Sequence, residues 1–178
     1  MRKENVLPVA VTLALLAMYA PGQAQPPWKI FTNRAGWSIS YPADWSIGSC
    51  RNCKDPTAPD VFVEFFPPAG RDSGGWVTVD HLRRKPSDSS VDEWLADISK
   101  TTNLSPRLSE ERITLHGLPA RKVRYSTGEG EREAVYTVFG LETFEIQFVT
   151  QKSAVLLEKS SNYDTYLKML GTFRAMRP

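Results

Sequence analysis

Gly36-Trp37-Ser38-Ile39-Ser40-Tyr41-Pro42-Ala43-Asp44-Trp45 reads as a strand closed by a proline. Trp37, Ile39 and Tyr41 fall on one face and Ser38 and Ser40 on the other, the alternation of a half-buried β-strand. Pro42 brings no N–H to a ladder and fixes φ, so the strand is predicted to stop there, with Trp45 turning back onto the core.

Working outward, Trp28 to Thr32 adds a short strand before a turn at Asn33-Arg34-Ala35-Gly36. After Trp45 regular structure is expected to lapse, with Gly48 to Pro59 an exposed excursion that carries Cys50, Cys53, Pro56 and Pro59. Val61 to Phe66 and Trp76 to Leu82 are rich in β-formers, and the first is ended by Pro67-Pro68. Ser90 stands three residues before Glu93, the spacing of a capping box, and Val91, Trp94, Leu95 and Ile98 follow at helical period. Strands return at Arg107 to Leu115, Ala120 to Thr127, Arg132 to Phe139 and Thr143 to Thr150. In the last, Phe144, Ile146 and Phe148 alternate with Glu145 and Gln147. Tyr163, Tyr166, Leu167, Leu170 and Phe173 form a second helical stripe that closes the chain. Strands joined by short turns make an antiparallel meander, and each amphipathic helix must bury its stripe on it. The fold class is therefore α+β: an antiparallel sheet of about six or seven strands with helices packed on it.

The N-terminus reads as an export signal. Arg2 and Lys3 precede an apolar run from Val6 to Ala20, and Gly22-Gln23-Ala24 offers the small residues of a cleavage site. Residues 1–24 are assigned as a signal peptide and residues 25–178 as a single domain. The apolar run falls short of the roughly 20 residues of a spanning helix, and no membrane span is expected in the mature chain. The protein is thus expected in the periplasm or outside the cell, or in the thylakoid lumen of a photosynthetic host. The full chain of 178 residues carries 22 basic and 20 acidic side chains. Loss of Arg2, Lys3 and Glu4 leaves a net charge of +1, which gives no general attraction to nucleic acid or anionic membranes.

Three motifs, Tyr41-Pro42-x-x-Trp45, Leu115-His116-Gly117-Leu118-Pro119-Ala120 and Tyr166-Leu167-x-Met169-Leu170-x-Thr172-Phe173, occur in this order. As an ordered set they resemble the Mog/PsbP-like family over roughly Phe31 to Phe173. The resemblance implies an α/β/α sandwich around an antiparallel sheet. It also implies a non-enzymatic accessory role, exercised by binding an envelope or lumenal protein. It transfers no ion-binding or photosystem residue, and no cofactor.

Chemistry in the sequence is sparse. Cys50 and Cys53, the only cysteines, follow an export signal and are expected to form a disulfide. So short a loop is worth only about 2 kcal/mol of chain entropy, which leaves open a thiol–disulfide redox role aided by Arg51. The context Lys54-Asp55-Pro56 starts no helix, unlike thioredoxin-type pairs, and favours a structural bond. Zinc would need His81 and His116, which lack a ligand spacing; they read as a residue near a sheet edge and a turn residue. No serine stands in a nucleophile elbow, and no phosphate loop is present. Asp60, Glu64, Glu110, Glu111 and Glu131 read as solvated strand faces. Two basic clusters remain, Arg83-Arg84-Lys85 and Arg121-Lys122-Arg124. Lys122 and Arg124 share a strand face that is expected to be exposed, and it suits an acidic partner, a phospholipid headgroup or protection of an edge strand. Trp76, opening its strand after Gly74-Gly75, is the tryptophan expected to meet a partner.

Overall fold

The computed structural model describes residues 27–49, 55–59, 62–68, 74–83, 90–101, 106–127, 130–150 and 156–176. Cys50, Cys53, Arg84, Lys85 and the signal segment 1–24 lie outside them. The strands are β1 (Trp28–Asn33), β2 (Trp37–Pro42), β3 (Ser46–Ser49), β4 (Val63–Phe66), β5 (Trp76–Arg83), β6 (Arg107–Leu115), β7 (Leu118–Thr127), β8 (Gly130–Phe139), β9 (Glu142–Val149) and β10 (Arg174–Ala175). Helix α1 spans Val91–Thr101 and α2 spans Tyr163–Leu170, the latter preceded by a 3-10 turn at Leu157–Lys159. Every pairing among the described residues is antiparallel. Seven strands run in the order β3-β4-β5-β9-β8-β7-β6, and three more form a small sheet, β1-β2-β10. The architecture is α+β, a PsbP-like sandwich.

The small sheet and α2 cover one face of the large sheet, here called the inner face. Trp37, Ile39 and Tyr41 point into this core as their alternation predicts, and Trp45 joins them. Phe31 and Tyr41 meet Phe65 at ring distances of 5.7 and 5.3 Å. Phe173 bridges Trp37 at 6.1 Å and Phe144 at 5.3 Å, which locks the end of the chain onto both sheets. Helix α1 covers part of the opposite, outer face. Its Val91, Trp94 and Leu95 pack on Val123 and Tyr125 of β7 and Ala134 and Tyr136 of β8. Ser90 caps it: its Oγ accepts the Glu93 N–H at 3.2 Å and donates to the Glu93 carboxylate at 3.1 Å.

Two expectations are corrected. Regular structure does not lapse after Trp45: Ser46–Ser49 is a strand paired with β4, Ile47 packs on the core, and Gly48 lets it lie close. A Cβ on Gly48 would stand 2.9 Å from the Phe66 ring, so only glycine permits that approach. The expected sheet of about six or seven strands is the seven-stranded one, and a second, small sheet accompanies it because β2 turns its apolar face onto the large sheet and pairs only with β1 and β10. On α2 the buried residues are Tyr163, Tyr166, Met169 and Leu170, while Leu167 is 42% exposed; the helix is rotated toward Met169 to meet the core. His81 stands on β5 beyond Val79, where the described pairing with β4 ends, and faces Phe144 of β9.

Candidate functional site

Alternation along the central strands gives the large sheet an apolar inner face and a polar outer one. On β5, Val77 and Val79 enter the inner core, which sends Trp76, Thr78 and Asp80 outward. On β9, Phe144, Ile146 and Phe148 enter the same core, which sends Glu145 and Gln147 outward. Helix α1 packs on β7 and β8, and in the core it buries it meets no residue of β9, β5 or β4. Among the described residues, the outer surface of those three strands is a polar half-face beside α1.

Strand register arranges this half-face in rows. Asp80 stands opposite Glu145, and Glu145 opposite Tyr136. In the next row Glu64 stands opposite Thr78, and Thr78 opposite Gln147. At the end, Trp76 stacks on Phe66 with ring centroids 6.2 Å apart. Burial is the main force raising the Asp80 carboxyl above the ordinary range. Glu145 is also raised, chiefly by burial, although the Tyr136 hydroxyl donates to its Oε1 at 2.7 Å. Tyr125 Oη lies 3.2 Å from Tyr136 Oη and completes a chain of hydroxyls leading under α1. Two buried polar atoms here, Trp76 Nε1 and Thr78 Oγ1, have no hydrogen-bond partner; the same holds for Arg132 Nε on β8 and for Trp37 Nε1, Glu133 Oε1 and Tyr166 Oη on the inner side. Thr78 is only 2% exposed, so water does not readily serve it.

The residues singled out in the sequence are dispersed. Trp76 is on this half-face, half-buried against Phe66 rather than standing free. Lys122 and Arg124 do share a strand face, but it is the inner one, and both are engaged within the chain. Lys122 Nζ meets Glu111 at 2.8 Å. Arg124 is corrected from an exposed cation to the centre of a network. Its Nε donates to Glu133 Oε2 at 3.0 Å, it donates to Tyr163 Oη at 3.2 Å, and it ion-pairs with Glu158. Burial opposes its charge, yet these three partners hold its pKa above the ordinary arginine value. Tyr163 Oη donates to the fully buried Glu133 at 2.9 Å, and its phenol is pushed up to about 12 by burial and by that carboxylate. The network fastens the 3-10 turn and α2 to β7 and β8. The two histidines are engaged apart from each other: His81 Nε2 lies 2.8 Å from Glu142 and its Nδ1 2.8 Å from the Pro59 carbonyl, while His116 meets Arg174.

Asp80, Thr78, Glu145 and Gln147 were missed as a group. The period-2 alternation that marks their face is visible in each strand, but the pairing of β5 with β9 is not.

A scan against protein-family models and a search of curated proteins find no match. Solved structures do match. Cyanobacterial PsbP from Synechocystis is similar over 86% of this chain and 95% of its own, with a TM-score of 0.58 and 12% identity. A protein of Bacteroides thetaiotaomicron is similar over 86% of this chain and half of its own, with a TM-score of 0.52 and 14% identity. At such identities the likeness is one of fold.

Proposed function

We infer that this chain is an exported, non-enzymatic accessory domain that acts by binding, and that it binds through the half-face beside α1. The observation that carries the reading is the row in which Asp80 faces Glu145 across the β5–β9 register, two carboxylates that make no ion pair with a cation among the described residues. Like charges so placed repel, and a docked partner would offset that cost. The accessory role is the one the PsbP-like resemblance implies. Export rests on the basic start and apolar run of residues 1–24; no described helix is long and apolar enough to cross a membrane.

The test is photo-cross-linking in the native host. A photoreactive residue in place of Glu64, on the half-face, is expected to trap one discrete adduct in the envelope fraction. The same residue in place of Leu167, exposed on α2, is expected to trap none. Equal labelling from both positions, or none from Glu64, overturns the reading.

A further inference from the structure

We propose that two copies of this chain pair edge to edge through β6, antiparallel and in the register centred on Glu111. Strand β6 ends the order of the large sheet, and seven of its nine residues are exposed. An outermost strand turns backbone N–H and C=O groups outward, ready to meet another strand. Charged side chains ordinarily keep such an edge from pairing. Along β6 they are placed so that they match a second copy of the same strand. With Glu111 opposite Glu111 of the second copy, Ser109 meets Ile113 and Glu110 meets Arg112. Each of these meetings occurs twice about the two-fold axis.

Glu110 and Arg112 lie on the outer face, since they stand opposite Val123 and Arg121 of β7. Each already holds one opposite charge: Glu110 takes Arg107 Nη1 at 2.7 Å, and Arg112 Nη2 lies 3.5 Å from Asp92. Their side chains are 37% and 80% exposed, which leaves room for a second partner. Pairing joins them in a row, Arg107, Glu110, Arg112 and Asp92, whose signs alternate across the axis. On the inner face Glu111 meets its own copy, and Lys122 Nζ, 2.8 Å from each carboxylate, offsets that repulsion. Facing residues must both turn their N–H toward the neighbour or both away, so the strands can slide only by two residues at a time. Sliding by two sets Glu110 opposite Glu110 in one direction and Arg112 opposite Arg112 in the other, and like charges directly opposite are disfavoured. Leu108, 53% exposed at the bulge where β6 slips against β7, lies at the end of the paired run, where a second copy would shelter it. Strands β7 and β8 separate β6 from β4, β5 and β9. The pairing therefore leaves the proposed binding half-face open and gives the assembly two of them.

The experiment measures the mass of the mature protein in solution by sedimentation, at concentrations up to about 1 mM. The native chain is expected to reach twice its monomer mass within that range. Arg112→Glu alone and Glu110→Arg alone each set like charges opposite one another at two places. Each is expected to weaken the dimer about tenfold or more while circular dichroism stays native. An equimolar mixture of the two variants matches opposite charges at both places and is expected to dimerise as the native chain does. The double variant Glu110→Arg with Arg112→Glu exchanges the two charges and is expected to do the same by itself. A native chain that stays monomeric up to about 1 mM overturns the proposal. So does a dimer that both single variants leave unchanged, which would place the contact elsewhere. Folded single variants whose mixture and whose double variant both stay monomeric overturn it as well, because the register then fails. None of these outcomes bears on the Glu64 photo-adduct, which tests the binding reading separately.

Discussion

At the scale of single residues, Asp80 and Glu145 carry a cost that the native fold tolerates. Burial raises both carboxyls, so the folded state holds protons that the unfolded chain has already released. Stability should therefore fall as pH rises from the ordinary carboxylate range through the raised values, and it should recover on acidification through the same window. The double variant Asp80→Asn with Glu145→Gln is expected to lose this component and to gain about 1 kcal/mol at pH 7. Urea denaturation at several pH values checks both statements; a variant less stable than native at pH 7 contradicts them. Arg124 behaves in the opposite sense. Arg124→Glu would leave the fully buried Glu133 without its cation and set a second carboxylate against it, at an expected loss of about 3–5 kcal/mol. Denaturation midpoints separate this from Lys122→Glu, whose partner Glu111 is exposed and whose effect should stay within about 1 kcal/mol.

At the scale of elements, local signals set position and long-range contacts set register. The Ser90–Glu93 cap was legible because its two residues are neighbours, and Ser90→Ala is expected to cost about 1 kcal/mol by thermal melting. The strand from Trp37 to Pro42 was legible from its alternation. Its membership of a separate three-stranded sheet was not, because β10 pairs with it from the far end of the chain. Strand β3 escaped notice because Gly48 and two serines carry little β-propensity; the strand exists through the closeness that Gly48 allows to Phe66. The stripe of α2 was read with Leu167 buried instead of Met169, a rotation that only the packed core decides. The acidic pair was illegible for the same reason as the sheet order. Asp80 and Glu145 each sit in a readable alternation, but nothing local states that their strands are neighbours. Gly75 provides a further test of element junctions. Its φ is +124°, and a Cβ there would lie 2.7 Å from both the Phe148 ring and the Val149 carbonyl. Its own carbonyl accepts from Asn162, just ahead of α2. Gly75→Ala should thus loosen both the start of β5 and the seating of α2, seen as faster amide exchange in both and a lower melting temperature.

At the scale of the molecule, two layers close the inner face, whereas on the outer face α1 covers β7 and β8 and packs on none of the neighbouring central strands. That asymmetry suits the proposed role: among the described residues two layers close one side of the sheet, and the other is where a partner is proposed to dock. Export is tested independently by intact mass, where protein recovered from the envelope of its host should begin at Gln25; a chain retaining Met1 contradicts the signal-peptide assignment. The central claim, that the domain binds through the outer face of β4, β5 and β9, is tested most directly by the yield of the Glu64 photo-adduct in two backgrounds. With Lys122→Glu, on the opposite face, the adduct should form as in the native protein. With Asp80→Asn and Glu145→Gln together it should fall by about tenfold or vanish. An adduct lost with Lys122→Glu but untouched by neutralising Asp80 and Glu145 would contradict the account.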